Sequence, residues 1–238
     1  KRQTYYCGFK VNSGEYKLMG LAPYGEPKYV DKIKKNIIDI KNDGSFRLDM
    51  NYFKFHRGFK MTSRKFEKLF GSPPRSSNQE LKQFHMDLAA SIQSVTEEII
   101  IKVARSLRKE TGIKNLCLSG GVALNCVANG KLVKEKIFNN VWIQPASGDA
   151  GSALGAALIG YYAKSTNSRR LIPDDSMKGT YLGCHFSNKE IINYLLSINA
   201  KFEELKDKDL FERLAINLDQ GNVIGWFNGR MEFGPRAL

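Results

Sequence analysis

The chain has 238 residues, 42% hydrophobic and 26% charged, with a formal net charge of +13. That length and balance fit a soluble globular protein of one large or two small domains, and no run of about 18 apolar residues exists to span a membrane. The cationic excess points to anionic partners, whether phosphate-bearing substrates or RNA, or to a lysine-rich solvated surface; composition does not separate these.

The four cysteines, Cys7, Cys117, Cys126 and Cys184, lack C-x-x-C spacing, and the three histidines, His56, His85 and His185, are far apart. Disulfides and zinc are therefore not expected, and the chain reads as cytosolic. Residues 5–9 form a short apolar element. Residues 12–25 follow, punctuated by Gly20, Pro23 and Gly25. Two alternating runs, 37–41 and 45–49, flank Asn42-Asp43-Gly44 and predict a hairpin. The aromatic and basic stretch 51–60 has the residue types that stack bases, although packing under an insertion is the expected use. Residues 64–70 predict a short helix capped by Thr62 or Ser63, followed by a Ser/Pro loop at 72–77.

Residues 79–111 predict a long helix, since Phe84, Leu88, Ala89, Ile92, Val95, Ile99 and Val103 recur every three or four positions. Gly112 ends it and leads to a buried strand at 115–118, in which Cys117 is expected to behave as a small apolar residue, as is Cys126 beyond it. Ser119-Gly120-Gly121 follows, then a predicted helix over about 122–136 with Asn125 one turn in. A second strand, Val141-Trp142-Ile143, runs into Pro145-Ala146-Ser147-Gly148-Asp149 and an Ala/Gly-rich helix. Two strand–glycine–helix units place two helix N-termini on one sheet edge, where free N–H groups and the dipole favour anions. A tight strand–helix turn is the plainer reading of Gly-Gly alone. Asp149 suits a helix cap, a metal ligand or a residue facing a metal–nucleotide.

Residues 165–178 read as a linker. Ser187 and Glu190 form a capping box for a helix over about 188–198. Strands are expected at 202–205 and 223–227 around a helix at 210–220, beginning a second α/β unit. The last strand leads to Arg230, Glu232 and Arg236, which taken alone suit a surface salt bridge.

Several of these stretches carry a resemblance. GEYKLMGLAPYG, MTSRKFEKLFGSPPR, SGGVALN, GDAGSALGAA and GWFNGRMEFGPRAL resemble the O-carbamoyltransferases that tailor nodulation factors and antibiotics. Their catalytic domain in turn resembles the universal tRNA threonylcarbamoyladenosine protein. The resemblance implies an α/β chain. Residues 1–165 would be part of an actin/Hsp70/sugar-kinase-like (ribonuclease H-like) domain, 166–178 a linker, and 179–238 the start of a YrdC-like domain.

It further implies ATP and a divalent metal, iron or magnesium-like, as cofactors. Carbamoyl phosphate and a hydroxyl-bearing small-molecule acceptor would be the partners, rather than nucleic acid or a membrane. Ser119, Gly120, Gly121, Val122, Asn125 and Gly148 match the nucleotide motif, and Asp149 the metal carboxylate. Glu232 and Arg236 match the domain that forms carbamoyladenylate, and Glu15 and Lys17 would approach the catalytic cleft. The family's other metal ligands are histidines upstream of Lys1, so the resemblance implies an internal fragment. A sugar-kinase-type phosphotransferase and a tRNA-modifying protein share SGGVALN, whereas GPRAL favours carbamoyl transfer.

Overall fold

A computed structural model describes residues 1–56, 58–165 and 175–234, and the chain divides into two units, Lys1–Ser147 and Gly148–Leu238. The first unit contains α1 (Arg2–Tyr6), α2 (Glu15–Leu21), α3 (Val30–Asn36), strands β1 (Ile38–Ile40) and β2 (Phe46–Leu48), and α4 (Arg64–Phe70). The 29-residue α5 (Gln83–Thr111) comes next, then β3 (Asn115–Leu118), α6 (Cys126–Lys134) and β4 (Asn140–Ile143). The fold is mixed α/β.

Everything in this unit is built on α5. Its predicted stripe buries Leu88, Ala89 and Val95, with Phe84, Ile92 and Ile99 packed alongside. An aromatic cluster closes over the N-terminal half: Tyr6 meets Phe66 edge-on at 4.8 Å, and Tyr29 meets both Phe70 and Phe84 at 5.7 Å. Such edge contacts add to the burial of large rings. The helix begins at Gln83, four residues later than the periodicity suggests. Gln79 closes a turn with Ser76, and Lys82 is extended and caps the helix. Gly112 ends it at φ +68, a left-handed conformation suited to glycine.

The loop after α2 is strapped to the same helix. Asp87, 4% exposed, accepts the Glu26 N–H at 2.9 Å and a bond from Gln83 Nε2 at 2.8 Å, while its other oxygen meets Lys28 Nζ at 3.2 Å. Ser91 Oγ accepts the Tyr29 N–H at 2.9 Å. The Gly25 backbone approaches so closely that a Cβ there would lie 2.1 Å from the Met86 carbonyl carbon.

The hairpin forms as predicted, with Ile38 opposite Leu48 and Ile40 opposite Phe46. Asp43 Oδ1 accepts from the Ser45 N–H at 2.9 Å, and Gly44 turns the chain at φ +87. The tip rests on α5 beside Val103, which is why that stripe residue faces the hairpin rather than the core. Ser63 caps α4 by accepting the Phe66 N–H.

β3 and β4 pair in parallel with Leu116 opposite Val141 and Leu118 opposite Ile143. A second core of Ile101, Ala104, Leu116, Leu132 and Phe138 joins α5, β3 and α6. The expectation of a buried β3 is corrected here: only Leu116 is buried, and Cys117, Cys126 and Trp142 are exposed. A two-stranded sheet packed on one side leaves its alternate residues outward. The buried thiol is Cys7 instead, and burial pushes it up to about 12.

The second unit contains α7 (Asp149–Lys164), α8 (Asn188–Ser197) and α9 (Asp207–Asp219). The capping box forms, Ser187 Oγ accepting the Glu190 N–H and the Glu190 carboxylate accepting the Ser187 N–H at 2.8 Å. The strands expected at 202–205 and 223–227 do not form. Both segments lack a partner strand among the described residues, and an unpaired extended segment gains no ladder bonds. None of the three helices fully buries a side chain, although Ile192 and Leu195 of α8 and Leu210 and Leu214 of α9 are half-buried. Among the described residues, no helix is long and apolar enough to cross a membrane.

Candidate nucleotide-binding turn

Because β3 and β4 are parallel, both deliver the chain to one sheet edge, the edge on which open α/β sheets bind ligands. Beyond β3, Gly120 adopts φ +95 and ψ 160, a conformation that effectively requires glycine. Its N–H donates to the Ser147 carbonyl at 3.0 Å, tying the turn after β3 to the loop after β4. That loop is itself fixed: Gln144 N–H reaches the Leu118 carbonyl at 3.1 Å, and Ala146 and Ser147 are buried.

Gly121 then opens a four-residue 3-10 turn (Gly121–Leu124) anchored by the buried Ala123. The N–H groups of Gly121 and Val122 begin the turn, where no carbonyl one turn back can accept them. Ser119, Gly120, Gly121 and Val122 are all exposed, and a Cβ on Gly121 would meet nothing within 4 Å. These four residues therefore form an open, anchored turn, with the Val122 side chain exposed beside a backbone that a ligand can approach.

The helix predicted from Val122 starts later. α6 begins at Cys126, and Asn125 is its N-cap rather than a residue one turn inside it. Asn125 Oδ1 accepts the Ala128 N–H at 3.0 Å, and its amide exchanges hydrogen bonds with Gln93 on α5 at 2.9 and 3.1 Å. Gln93 also donates to Glu97, which pairs with Lys131 of α6 at 3.2 Å. Asn129 Nδ2 meanwhile donates to the Ala123 carbonyl at 2.7 Å. Gln93 and Asn129 were not legible as site residues. Their only signal is a polar side chain at the edge of an apolar stripe.

The other candidates lie elsewhere. Gly148 and Asp149 open α7 in the second unit, Gly148 as its N-cap and Asp149 as an exposed acid in the first turn. Glu232 is in the second unit, where the 180–184 and 231–233 segments hydrogen-bond through Gly183, Cys184, Met231 and Phe233. Arg236, and residues 166–174 of the expected linker, lie outside the described residues. Glu15 and Lys17 sit at the start of α2: Glu15 accepts the Asn12 N–H at 2.9 Å, and Lys17 Nζ lies 6.0 Å from the Tyr16 ring. No hydrogen bond or ion pair among the described residues joins either to the glycine turn. Among the described residues, no group of three or more His, Cys, Asp or Glu is placed to hold a metal ion. Asp149 alone does not make a metal site.

Comparison with known proteins gives this geometry its family. The profile described as Carbamoyltransferase N-terminus matches residues 2–158. An uncharacterized protein of Synechocystis sp. is 56% identical over 237 residues, covering 99% of this chain and 38% of that protein. The nodulation protein NolO of Bradyrhizobium diazoefficiens is 36% identical across 94% of this chain and 38% of its own length. NolNO of Sinorhizobium fredii is 36% identical across 98% and 32%. The chain thus spans less than two-fifths of these relatives. By the profile match across most of its length, it belongs to the carbamoyltransferase family.

Proposed function

We propose that the chain is part of an ATP-dependent O-carbamoyltransferase. The observation that carries this reading is the anchored, open Ser119–Val122 turn at the carboxyl edge of two parallel strands, in a chain of this family. In the first step water cleaves carbamoyl phosphate to carbamate and phosphate. A carbamate oxygen attacks the α-phosphorus of ATP and pyrophosphate leaves, so that the resulting carbamoyladenylate carries AMP as the leaving group on its carbamoyl carbon. In the transfer step the acceptor hydroxyl oxygen bonds to that carbon, the carbon–oxygen bond to AMP breaks, and the hydroxyl proton is lost. Backbone N–H groups aimed at developing charge lower such a barrier. The acceptor is a hydroxyl of a sugar-like or secondary-metabolite molecule.

In the same proposal, residues 1–165 belong to a ribonuclease H-like domain and 179–238 begin a YrdC-like domain, in a cytoplasmic enzyme. Glu232 and Arg236 would act in forming carbamoyladenylate, Arg236 because a guanidinium grips phosphate bidentately. Asp149 would give one oxygen ligand to a divalent metal whose remaining ligands come from outside these residues. The described residues do not complete that site, and no step is assigned to it.

The experiment is carbamoylation of a panel of sugars and aminoglycosides by the intact protein with ATP and carbamoyl phosphate. A carbamoylated acceptor and AMP, both requiring carbamoyl phosphate, are expected. Phosphorylated sugar and ADP without carbamoyl phosphate would instead make it a kinase.

A further inference from the structure

Between β2 and α5 the chain folds into a pocket that carbamoyl chemistry at the glycine turn leaves unexplained. Phe53 and Thr62 pair as an antiparallel bridge, the Lys54 N–H reaches the Met61 carbonyl at 3.2 Å, and the Ser63 N–H reaches the Tyr52 carbonyl at 3.0 Å. This pairing brings the two limbs together beside the first turn of α4. The cavity between them measures about 310 Å3 and is lined by Lys54, Lys60, Thr62, Arg64 and Glu67.

Two features of it suit an anionic ligand. Lys54, Lys60 and Arg64 surround one cavity, yet none has a carboxylate within ion-pair distance among the described residues. Neighbouring cations are treated differently: Lys65 reaches Asp49 at 3.4 Å, and Lys34 and Lys102 both hold Glu98. In the wall, Thr62 is 1% exposed and its buried Oγ1 has no hydrogen-bond partner. A buried hydroxyl without a partner is uncommon and unfavourable, and the three cations, all exposed, stand open to an anion from solvent.

We propose that this pocket binds a small phosphate monoester that carries hydroxyl groups, a sugar phosphate in chemical class. Among the described residues, three cations against one carboxylate leave a net charge that matches a phosphate dianion. Arg64 presents a planar fork for two phosphate oxygens, and the two lysines act as point charges. The Thr62 hydroxyl, which has no protein partner, is a neutral donor for a ligand oxygen, and Glu67 can accept from a ligand hydroxyl. Among the described residues the cavity lining holds no aromatic side chain, and the exposed Phe59 ring stands next to Lys60 rather than in that lining, so the cavity itself suits a phosphate ester better than a nucleobase.

The test titrates the intact protein calorimetrically with glucose 6-phosphate, inorganic phosphate and a 5′-phosphorylated single-stranded RNA. Saturable binding of the hexose phosphate, displaced by inorganic phosphate, is expected. Arg64→Gln or Lys54→Gln should weaken it by about tenfold, the loss of one charged contact. Both residues are exposed, so these variants should fold. Thr62→Val should weaken binding while raising Tm, because it removes an unsatisfied buried hydroxyl. Gly121→Val should leave this binding unchanged, which separates the pocket from the proposed ATP site. The inference is overturned if hexose phosphate does not saturate, or if it binds both charge variants with wild-type affinity. Tight RNA binding that hexose phosphate cannot displace would also overturn it.

Discussion

The side-chain amides of Asn125 and Gln93 exchange two hydrogen bonds, at 2.9 and 3.1 Å, and so fasten the N-cap of α6 to the middle of α5. The same Asn125 oxygen caps α6 through the Ala128 N–H. Gln93 is therefore a positioning residue for the segment that follows the glycine turn. Gln93→Leu should cost about 1–3 kcal/mol, because it strands the Asn125 amide. A double-mutant cycle with Asn125→Ala, read by urea denaturation, should return a coupling of about 0.5–3 kcal/mol. Strict additivity would show that the exchanged bonds contribute nothing.

Gly25 and Gly20, five residues apart, should respond oppositely to alanine. A Cβ on Gly25 would lie 2.1 Å from Met86 backbone atoms, so the strapped loop must lift off α5. Overpacking of this kind costs about 1–3 kcal/mol or more. A Cβ on Gly20 meets nothing within 4 Å, and the residue lies inside α2. Gly20→Ala should therefore stabilise by about 0.4–1 kcal/mol. Thermal melts of the two variants check the contrast.

Acid should destabilise the first unit in two stages. Burial, reinforced by the Arg75 charge, holds the His85 imidazole below its ordinary value, and its Nδ1 accepts the Lys82 N–H at 3.0 Å. A depressed histidine contributes stability that is present above about pH 6.5 and lost as pH falls through the folded value. Asp87 is also held low, first by the Glu26 backbone N–H, then by Gln83 and Lys28. Its contribution is present above about pH 3.9 and is lost at still lower pH. His85→Gln should flatten the upper part of the acid limb of a Tm–pH curve, and Asp87→Asn the lower part. An unchanged curve in either variant would contradict the assignment.

Asp149 stands exposed at the start of α7. Asp149→Asn should change stability by less than about 1 kcal/mol, the size of a helix-terminus charge effect. In the intact protein the same variant should lower bound metal, measured by atomic emission. Unchanged metal content would leave Asp149 only its place at the helix terminus.

Elements set by neighbouring residues are legible in the sequence, and those set by long-range pairing are not. The Asn42-Asp43-Gly44 hairpin, the Ser63 and Ser187 caps and the α5 stripe all rest on neighbouring residues, and all four appear. The strand expected at 223–227 needed a partner strand that its own residues do not specify. The late start of α6 turned on Asn125, whose side chain has a stronger use as a cap than inside a helix. The Gly120 turn was legible because only glycine tolerates its backbone angles. The Gln93–Asn125 pair was not, since residues 32 apart in sequence met only through folding.

The most direct test of the proposed nucleotide-binding role of this turn is calorimetric titration of the intact protein and its Gly121→Val variant with a non-hydrolysable ATP analogue. Gly121 has open space for a side chain and does not have a positive φ, so the variant should fold with wild-type circular dichroism and Tm. The account predicts saturable binding to the wild type and loss of that binding in the variant, because the added side chain holds phosphate off the backbone. Equal affinity in both proteins would contradict it and leave the glycine turn a purely structural link between β3 and α6.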